Sequence, residues 1–246
     1  MINVGILTGF GINADLELGQ AFEMAGANPQ FLPLTSLIED ARALAGLQIL
    51  AFPGGFSFGD HLGSGRVFGQ MVKSRLKDEV DALLTRGGLV LGICNGFQTL
   101  VKMGLLPNIE GDWTPTVSLI TNDHGLFQDK WVKVRYNDKS ASPWLRGLQE
   151  ADLPIRHGEG RFVTLNEQVR NDLKERQLIA LTYENENPNG SQDNIAGITD
   201  PTGRVFGLMP HPEAFTSRYL HPLWRRRREV GPLGLKVFEN AVDYLK

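Results

Sequence analysis

A single cysteine, Cys94, lies in the pentapeptide Gly92-Ile93-Cys94-Asn95-Gly96. G-x-C-x-G is the spacing of a nucleophile elbow, in which the nucleophile occupies a sharp strand-to-helix turn and flanking glycines avoid collisions there. The thiolate is the attacking form, and the positive end of a following helix stabilises it. A lone cysteine is more often a small buried hydrophobe, so the elbow needs a base beside it. Gln98, four residues on and about one helical turn deeper, adds a polar group facing the same mouth.

Five histidines are available: His61, His124, His157, His211 and His221. Met209-Pro210-His211-Pro212-Glu213 follows an apolar strand, and the two flanking prolines fix the backbone that aims His211. Glu213, two residues later in an extended segment, falls on the same side and can hold the imidazole in one tautomer. Read alone, His-Pro-Glu is more often a solvated turn. Together with the elbow it completes a nucleophile, a base and an orienter.

Attack on a carboxamide creates an alkoxide that needs preorganised donors. The backbone N–H of Asn95, at the helix start, can supply one. The glycine-rich loop Pro53-Gly54-Gly55-Phe56-Ser57-Phe58-Gly59-Asp60 follows a buried strand, and Gly55 is its natural donor. A second loop, His157-Gly158-Glu159-Gly160, reads equally as a tight turn or a substrate cradle. Neither a dinucleotide fingerprint nor a phosphate loop occurs, so no ATP site is recognisable in this chain.

These groups need a scaffold, and the apolar pattern supplies one. Strand-like runs at 2–7, 31–34, 47–52 and 89–93 alternate with helical stretches at 14–25, 38–44, 64–86 and 95–103. Such alternation predicts an α/β fold, an open and mostly parallel sheet with helices on both faces, with ligands at the carboxyl ends of the strands. Beyond Gly104 short strands are expected at 117–120, 131–136, 161–165, 179–183, 195–199 and 205–209, then a closing helix at 233–245. One domain, 1–246, is expected.

The chain has 246 residues, 41% hydrophobic and 22% charged, with a net charge of −3. An acidic balance argues against nucleic acid as a partner, because such binding draws on a basic surface. One cysteine excludes an intrachain disulfide, the start at Met1 has no basic leader, and no apolar run reaches the ~18 to 20 residues that cross a bilayer. A soluble cytoplasmic protein is expected, with no membrane contact.

The elbow, the Pro-Gly-Gly-Phe-Ser-Phe-Gly-Asp loop and His-Pro-Glu resemble class I (triad) glutamine amidotransferases, whose fold is flavodoxin-like. His157-Gly158-Glu159-Gly160 and Asn187-Pro188-Asn189-Gly190-Ser191, followed by Ile195-Ala196-Gly197-Ile198, are similar to the PurQ-type glutaminase subunits of phosphoribosylformylglycinamidine synthases. The resemblance implies that Cys94 attacks glutamine, with His211 as acid and base and Glu213 as its orienter. It further implies Gly55 and Asn95 as the oxyanion hole, with Gln98, Phe56, His157 and Gly158 holding the substrate. It implies ammonia transfer to a larger synthase subunit that uses ATP and magnesium, with a small third subunit present. No metal or cofactor is expected on this chain itself. An amidotransferase serving a different synthase, a cysteine hydrolase or protease of related fold, and a degenerate regulatory subunit remain as alternatives.

Three places depart from the resemblance. The segment 121–127 follows it loosely, Ala214-Phe215 stands where an arginine is expected, and the tail 220–229, with Trp224 and the run Arg225–Arg228, is not placed by it. That run reads as a solvated charged turn, with a contact for the synthase or for phosphate-bearing ligands as the alternative.

Overall fold

The computed structural model describes residues 1–226, 231 and 233–246. Its first half runs β1 (Asn3–Thr8), α1 (Asp15–Met24), β2 (Asn28–Pro33), α2 (Leu34–Glu39), β3 (Ile49–Phe52), α3 (Arg66–Thr85), β4 (Leu89–Ile93) and α4 (Asn95–Met103). Its second half runs β5 (Val117–Ile120), β6 (Gln128–Tyr136), β7 (Glu150–His157), β8 (Arg161–Thr164), α5 (Glu167–Glu175), β9 (Ile179–Glu184), β10 (Ile195–Thr199), β11 (Val205–Leu208) and α6 (Leu235–Tyr244). No helix among the described residues is long and apolar enough to cross a membrane.

Nine strands form one sheet in the order β2-β1-β3-β4-β11-β10-β9-β6-β7, and β5 pairs with β8 apart from it. From β2 to β11 all neighbours are parallel. From β11 to β7 all are antiparallel. The α/β sheet that the alternation predicts is therefore present, extended by an antiparallel wing. Strands β3, β4 and β11 are buried at every position, as continuous apolar runs covered on both faces should be. Helices α3 and α4 pack side by side, while α1 packs on α6 with Phe22 edge-on to Phe238 at 5.0 Å.

The wing does not lie flat. Strand β7 is five places from β4, which in a flat sheet would be about 24 Å. Yet Cys94, the residue after β4, places its sulfur 3.6 Å from the Arg156 carbonyl on β7. The right-handed twist between strands accumulates until the edge strand curls back over the carboxyl ends of the parallel strands. This curl makes the cleft.

Sequence pattern misses β7 and α5. Pro154, Asp152 and Arg156 interrupt the apolar reading of 150–157, but β7 is an edge strand, where proline is tolerated. Helix α5 buries only Val169 and Leu173, with Asn166 capping it by accepting the Val169 N–H at 3.0 Å, so its apolar stripe is thin. The helical stretch expected at 38–44 is divided. Asp40 turns extended between α2 and a 3-10 turn at Ala41–Leu44, and its carboxylate accepts the Arg42 N–H.

One glycine shows how tightly the elbow is built. A Cβ at Gly96 would stand 1.9 Å from the Phe52 carbonyl oxygen, whereas a Cβ at Gly46 would meet nothing within 4 Å. Gly96→Ala should lower stability by about 2–4 kcal/mol in urea unfolding, or prevent folding, and Gly46→Ala should stay within about 0.5 kcal/mol of the parent.

Candidate active site

Strand β4 ends at Ile93, and the next residue turns abruptly. Cys94 has φ 52° and ψ −106°, a conformation that only surrounding structure can enforce. Its N–H still continues the sheet, donating to the Leu208 carbonyl of β11 at 2.8 Å. The chain then enters α4, so the sulfur sits at that helix's positive end, 5% exposed. The thiol donates to the Arg156 carbonyl.

His211 follows β11 and donates its N–H to the Pro154 carbonyl of β7 at 2.8 Å. Its Nδ1 lies 2.6 Å from Glu213 Oε1, with both side chains buried. The carboxylate reaches it by a route different from the expected extended segment: Pro212–Ala214 forms a 3-10 turn that folds Glu213 back under the ring. With Nδ1–H given to Glu213, the Nε2 face is left for Cys94. Only glycine fits between them, since a Cβ on Gly54 would lie 2.8 Å from His211 Cε1 and 3.6 Å from Cys94 Cβ.

Burial by itself would strip the proton from His211. The Glu213 carboxylate and the Cys94 sulfur outweigh that penalty and raise its pKa to about 10. Glu213 Oε2 has no hydrogen-bond partner among the described residues, so the imidazolium bonded to Oε1 is what makes this buried carboxylate tolerable.

Loop 53–60 is zipped to the loop 9–14. Gly54 O accepts from Asn13 N and Ala14 N, and Phe56 N donates to Gly11 O at 2.8 Å. These bonds flank Gly55, which bridges Ile12 and has φ 153°, a conformation suited to glycine. The Gly55 N–H therefore points away from that ladder. Asn95 N heads α4, where a backbone N–H has no intrahelical acceptor. The Asn95 side chain does something its motif position did not suggest. Its Oδ1 accepts the Ser57 N–H, and its Nδ2 donates to Asp60 Oδ1 and Gln98 Oε1, clamping the glycine loop to the nucleophile helix.

The cleft has two lobes that share Gly55, Phe56, Cys94, Phe127 and Arg156. The smaller, about 220 Å³, is lined further by Gln98, His157, Gly158, Asp60 and Glu159. The larger, about 370 Å³, lies on the His211 side with Asn13, Glu17 and Asp129. Burial raises the pKa of Asp60, against hydrogen bonds from Ser64 and Asn95, and the neighbouring Glu159 adds to the rise. Two carboxyl groups in so small a space suit a cationic group such as an α-ammonium. Phe56, 45% exposed, packs against Phe127 at 6.2 Å and forms the rim.

Gln98 lines the smaller lobe, but both ends of its carboxamide are engaged: Oε1 with Asn95, and Nε2 with the Glu159 carbonyl. A ligand would meet it only by exchanging one of these bonds. His157 contributes its backbone to the lobe while its ring is buried against Asn122 Oδ1. Burial, helped by nearby His211, lowers its pKa to about 4, so it is neutral at physiological pH.

Sequence reasoning did not find the groups that hold the His157–Gly160 loop. Asn122, in the loosely matching segment 121–127, donates Nδ2 to His157 O and Leu126 O and accepts the Gly160 N–H. Asn189 and Ser191 reach the Gly160 carbonyl from behind, and Ser191 Oγ also accepts the Phe162 N–H. The Asn-Pro-Asn-Gly-Ser string carries part of the family resemblance, and its physical role is to support this loop.

Known proteins match this chain along nearly its whole length. The CobB/CobQ-like glutamine amidotransferase domain matches residues 1–245. Phosphoribosylformylglycinamidine synthase subunit PurQ of Methanococcus maripaludis is 36% identical, covering 97% of this chain and 96% of that protein. The PurQ subunit of Dehalococcoides mccartyi is 38% identical over 96% of this chain and 94% of its own. The structure of PurLQS from Thermotoga maritima includes a chain that superposes with a TM-score of 0.78 at 30% identity, covering 100% of this chain and 99% of that one. With sequence, domain and fold in agreement, the chain belongs to the PurQ family of phosphoribosylformylglycinamidine synthase subunits, built on a glutamine amidotransferase domain.

Proposed function

We propose that this chain hydrolyses L-glutamine through Cys94, His211 and Glu213 and passes the ammonia to a synthase subunit. That partner would use ATP and magnesium to convert formylglycinamide ribonucleotide into formylglycinamidine ribonucleotide in purine biosynthesis, within an assembly that includes a small third subunit. The observation that carries the reading is the buried His211–Glu213 pair at 2.6 Å beside a cysteine in a strained elbow.

In this mechanism Cys94 has given up its thiol proton to form a thiolate beside the charged His211, and that thiolate attacks the side-chain carboxamide carbon of glutamine. The Gly55 and Asn95 N–H groups receive the developing oxyanion, in the place a strand-end loop and a helix start provide for it. His211, charged through its pairing with Glu213, gives its proton to the departing nitrogen, and the C–N bond breaks to leave a glutamyl thioester. His211, now neutral, takes a proton from water, whose oxygen attacks the thioester carbon. The C–S bond breaks, glutamate leaves, and the pair returns to its starting state. The smaller lobe holds the amino-acid end, with Asp60 and Glu159 near the α-ammonium. The larger lobe, beyond His211, faces the departing ammonia.

Cys94→Ala should reduce glutamine-dependent product formation by at least about 10³-fold in the complex with the synthase subunit, while synthesis from added ammonium salt stays within about twofold of the parent. Loss of both activities together would assign Cys94 to structure. The His211 proton gives a second test. The acid form is the one that protonates the leaving nitrogen, so kcat/KM for glutamine should persist on the alkaline side and fall as pH rises through about 10. Glu213→Gln removes the charge that raises this pKa, so the alkaline limb should move to lower pH and kcat should drop by about 10²- to 10⁴-fold. An unmoved limb in that variant would break the assignment of Glu213.

A further inference from the structure

Residues after the triad depart from the family resemblance, and the structure gives part of that departure a place. Arg227, Arg228 and Glu229 lie outside the described residues, but the chain up to Arg226 is described. Phe215, standing where an arginine was expected, leaves the triad turn fully buried and meets Trp131 edge-on at 5.1 Å. His221, from the unassigned tail, fills the third side, 4.7 Å from Trp131 and 5.7 Å from Phe215.

The ring is 2% exposed and directionally held. Its Nδ1 accepts the Leu223 N–H at 3.1 Å, so its proton sits on Nε2, which lies 3.4 Å from Asp152 Oδ2. Asp152 belongs to β7 and precedes by two residues Pro154, the residue whose carbonyl takes the His211 N–H. Trp131 is the cross-strand partner of Pro154. Both ends of the segment from His211 to His221 are thus fastened to one short stretch of one edge strand, with the triad turn between them. A phenylalanine would fill the same aromatic pocket without desolvating two ring nitrogens. What histidine adds is direction.

We propose that His221 is a positioning residue: by clamping the tail to Asp152 it fixes the turn that carries Glu213 and keeps the His211–Glu213 pair aligned on Cys94. The inference rests on the triad reading above, and it concerns a residue that touches neither substrate nor sulfur.

The test uses the full chain with His221→Phe, which keeps the packing and removes both the Leu223 hydrogen bond and the Asp152 contact, and Asp152→Asn, which keeps the shape and removes the charge. His221→Phe should lower kcat for glutamine by about 10-fold with KM within about twofold, because misalignment of the base affects the transition state more than binding. Titration of the His211 ring, followed by NMR, should show its pKa lowered by about one unit, towards the Glu213→Gln value, with a smaller shift in Asp152→Asn. A folded His221→Phe protein with unchanged kcat and unchanged His211 titration would overturn the proposal. If His221→Phe does not fold, an unshifted His211 in Asp152→Asn overturns it instead. The titration requires no turnover, so a parent chain that fails to hydrolyse glutamine would sink the proposed function while a shifted His211 would leave the clamp standing.

Discussion

The cleft depends on contact between the two ends of the sheet. Strands β4 and β11 lie in the parallel half, and β7 is the outermost strand of the antiparallel wing. Residues just beyond β4 and β11 both bond to β7: Cys94, next after β4, through its thiol to Arg156 O, and His211, three residues past β11, through its N–H to Pro154 O. Unpaired carbonyls on an edge strand are ordinarily a liability, open to any other chain. Here two of them hold Cys94 and His211, the proposed nucleophile and base, to one strand. If the wing were flat, Cys94 would keep its elbow and His211 its turn, but nothing would hold them to a common wall.

Once that wall exists, the electrostatics follow. Glu213 is removed from water with one oxygen bonded to His211 and the other without a partner among the described residues. Such a carboxylate is stable only beside a cation, and the imidazole is the group within reach. The same burial that would discharge a lone histidine therefore ends by keeping this one charged, because the two opposite charges are buried together. His157 shows the opposite outcome in the same cleft: it is buried with a neutral amide as its partner, and it loses its proton. Two histidines lining lobes of one cleft are thus separated into a charged and a neutral ring by what each is bonded to.

A different chemistry holds the substrate side. Asn95, Asn122, Asn189 and Ser191 are all buried; the last three bond loop backbone, and Asn95 ties the Ser57 N–H and the Asp60 carboxylate to helix α4. Loops carry backbone donors and acceptors that no regular ladder satisfies. Short amides, with a donor and an acceptor on one rigid plane, satisfy them while fixing loop shape. These bonds hold loop 53–60 and the His157–Gly160 loop to their neighbours, the preorganisation that the proposed chemistry requires.

Local signals in the chain determined the parallel half, the elbow and the candidate reacting groups. The runs at 47–52 and 89–93 announce buried strands because every position is apolar, and Gly92-Ile93-Cys94-Asn95-Gly96 announces its turn because glycine alone fits against Phe52. Observed boundaries agree with expectation at β4, α4, β5 and β10 for the same reason: period and punctuation coincide there. Tertiary structure decided what is non-local. Strand β7 was hidden by Pro154 and two charges, since its pattern makes sense only at an edge. The turn that brings Glu213 under His211 could not be told from an extended segment. The roles of Asn95, Asn122 and His221 depend on partners 35 residues away for Asn122 and 69 for His221 and Asp152, beyond the reach of any periodicity. The sequence names the reacting groups because each sits in its own short motif. The distances among them belong to the curl of the sheet, which no short stretch of chain encodes.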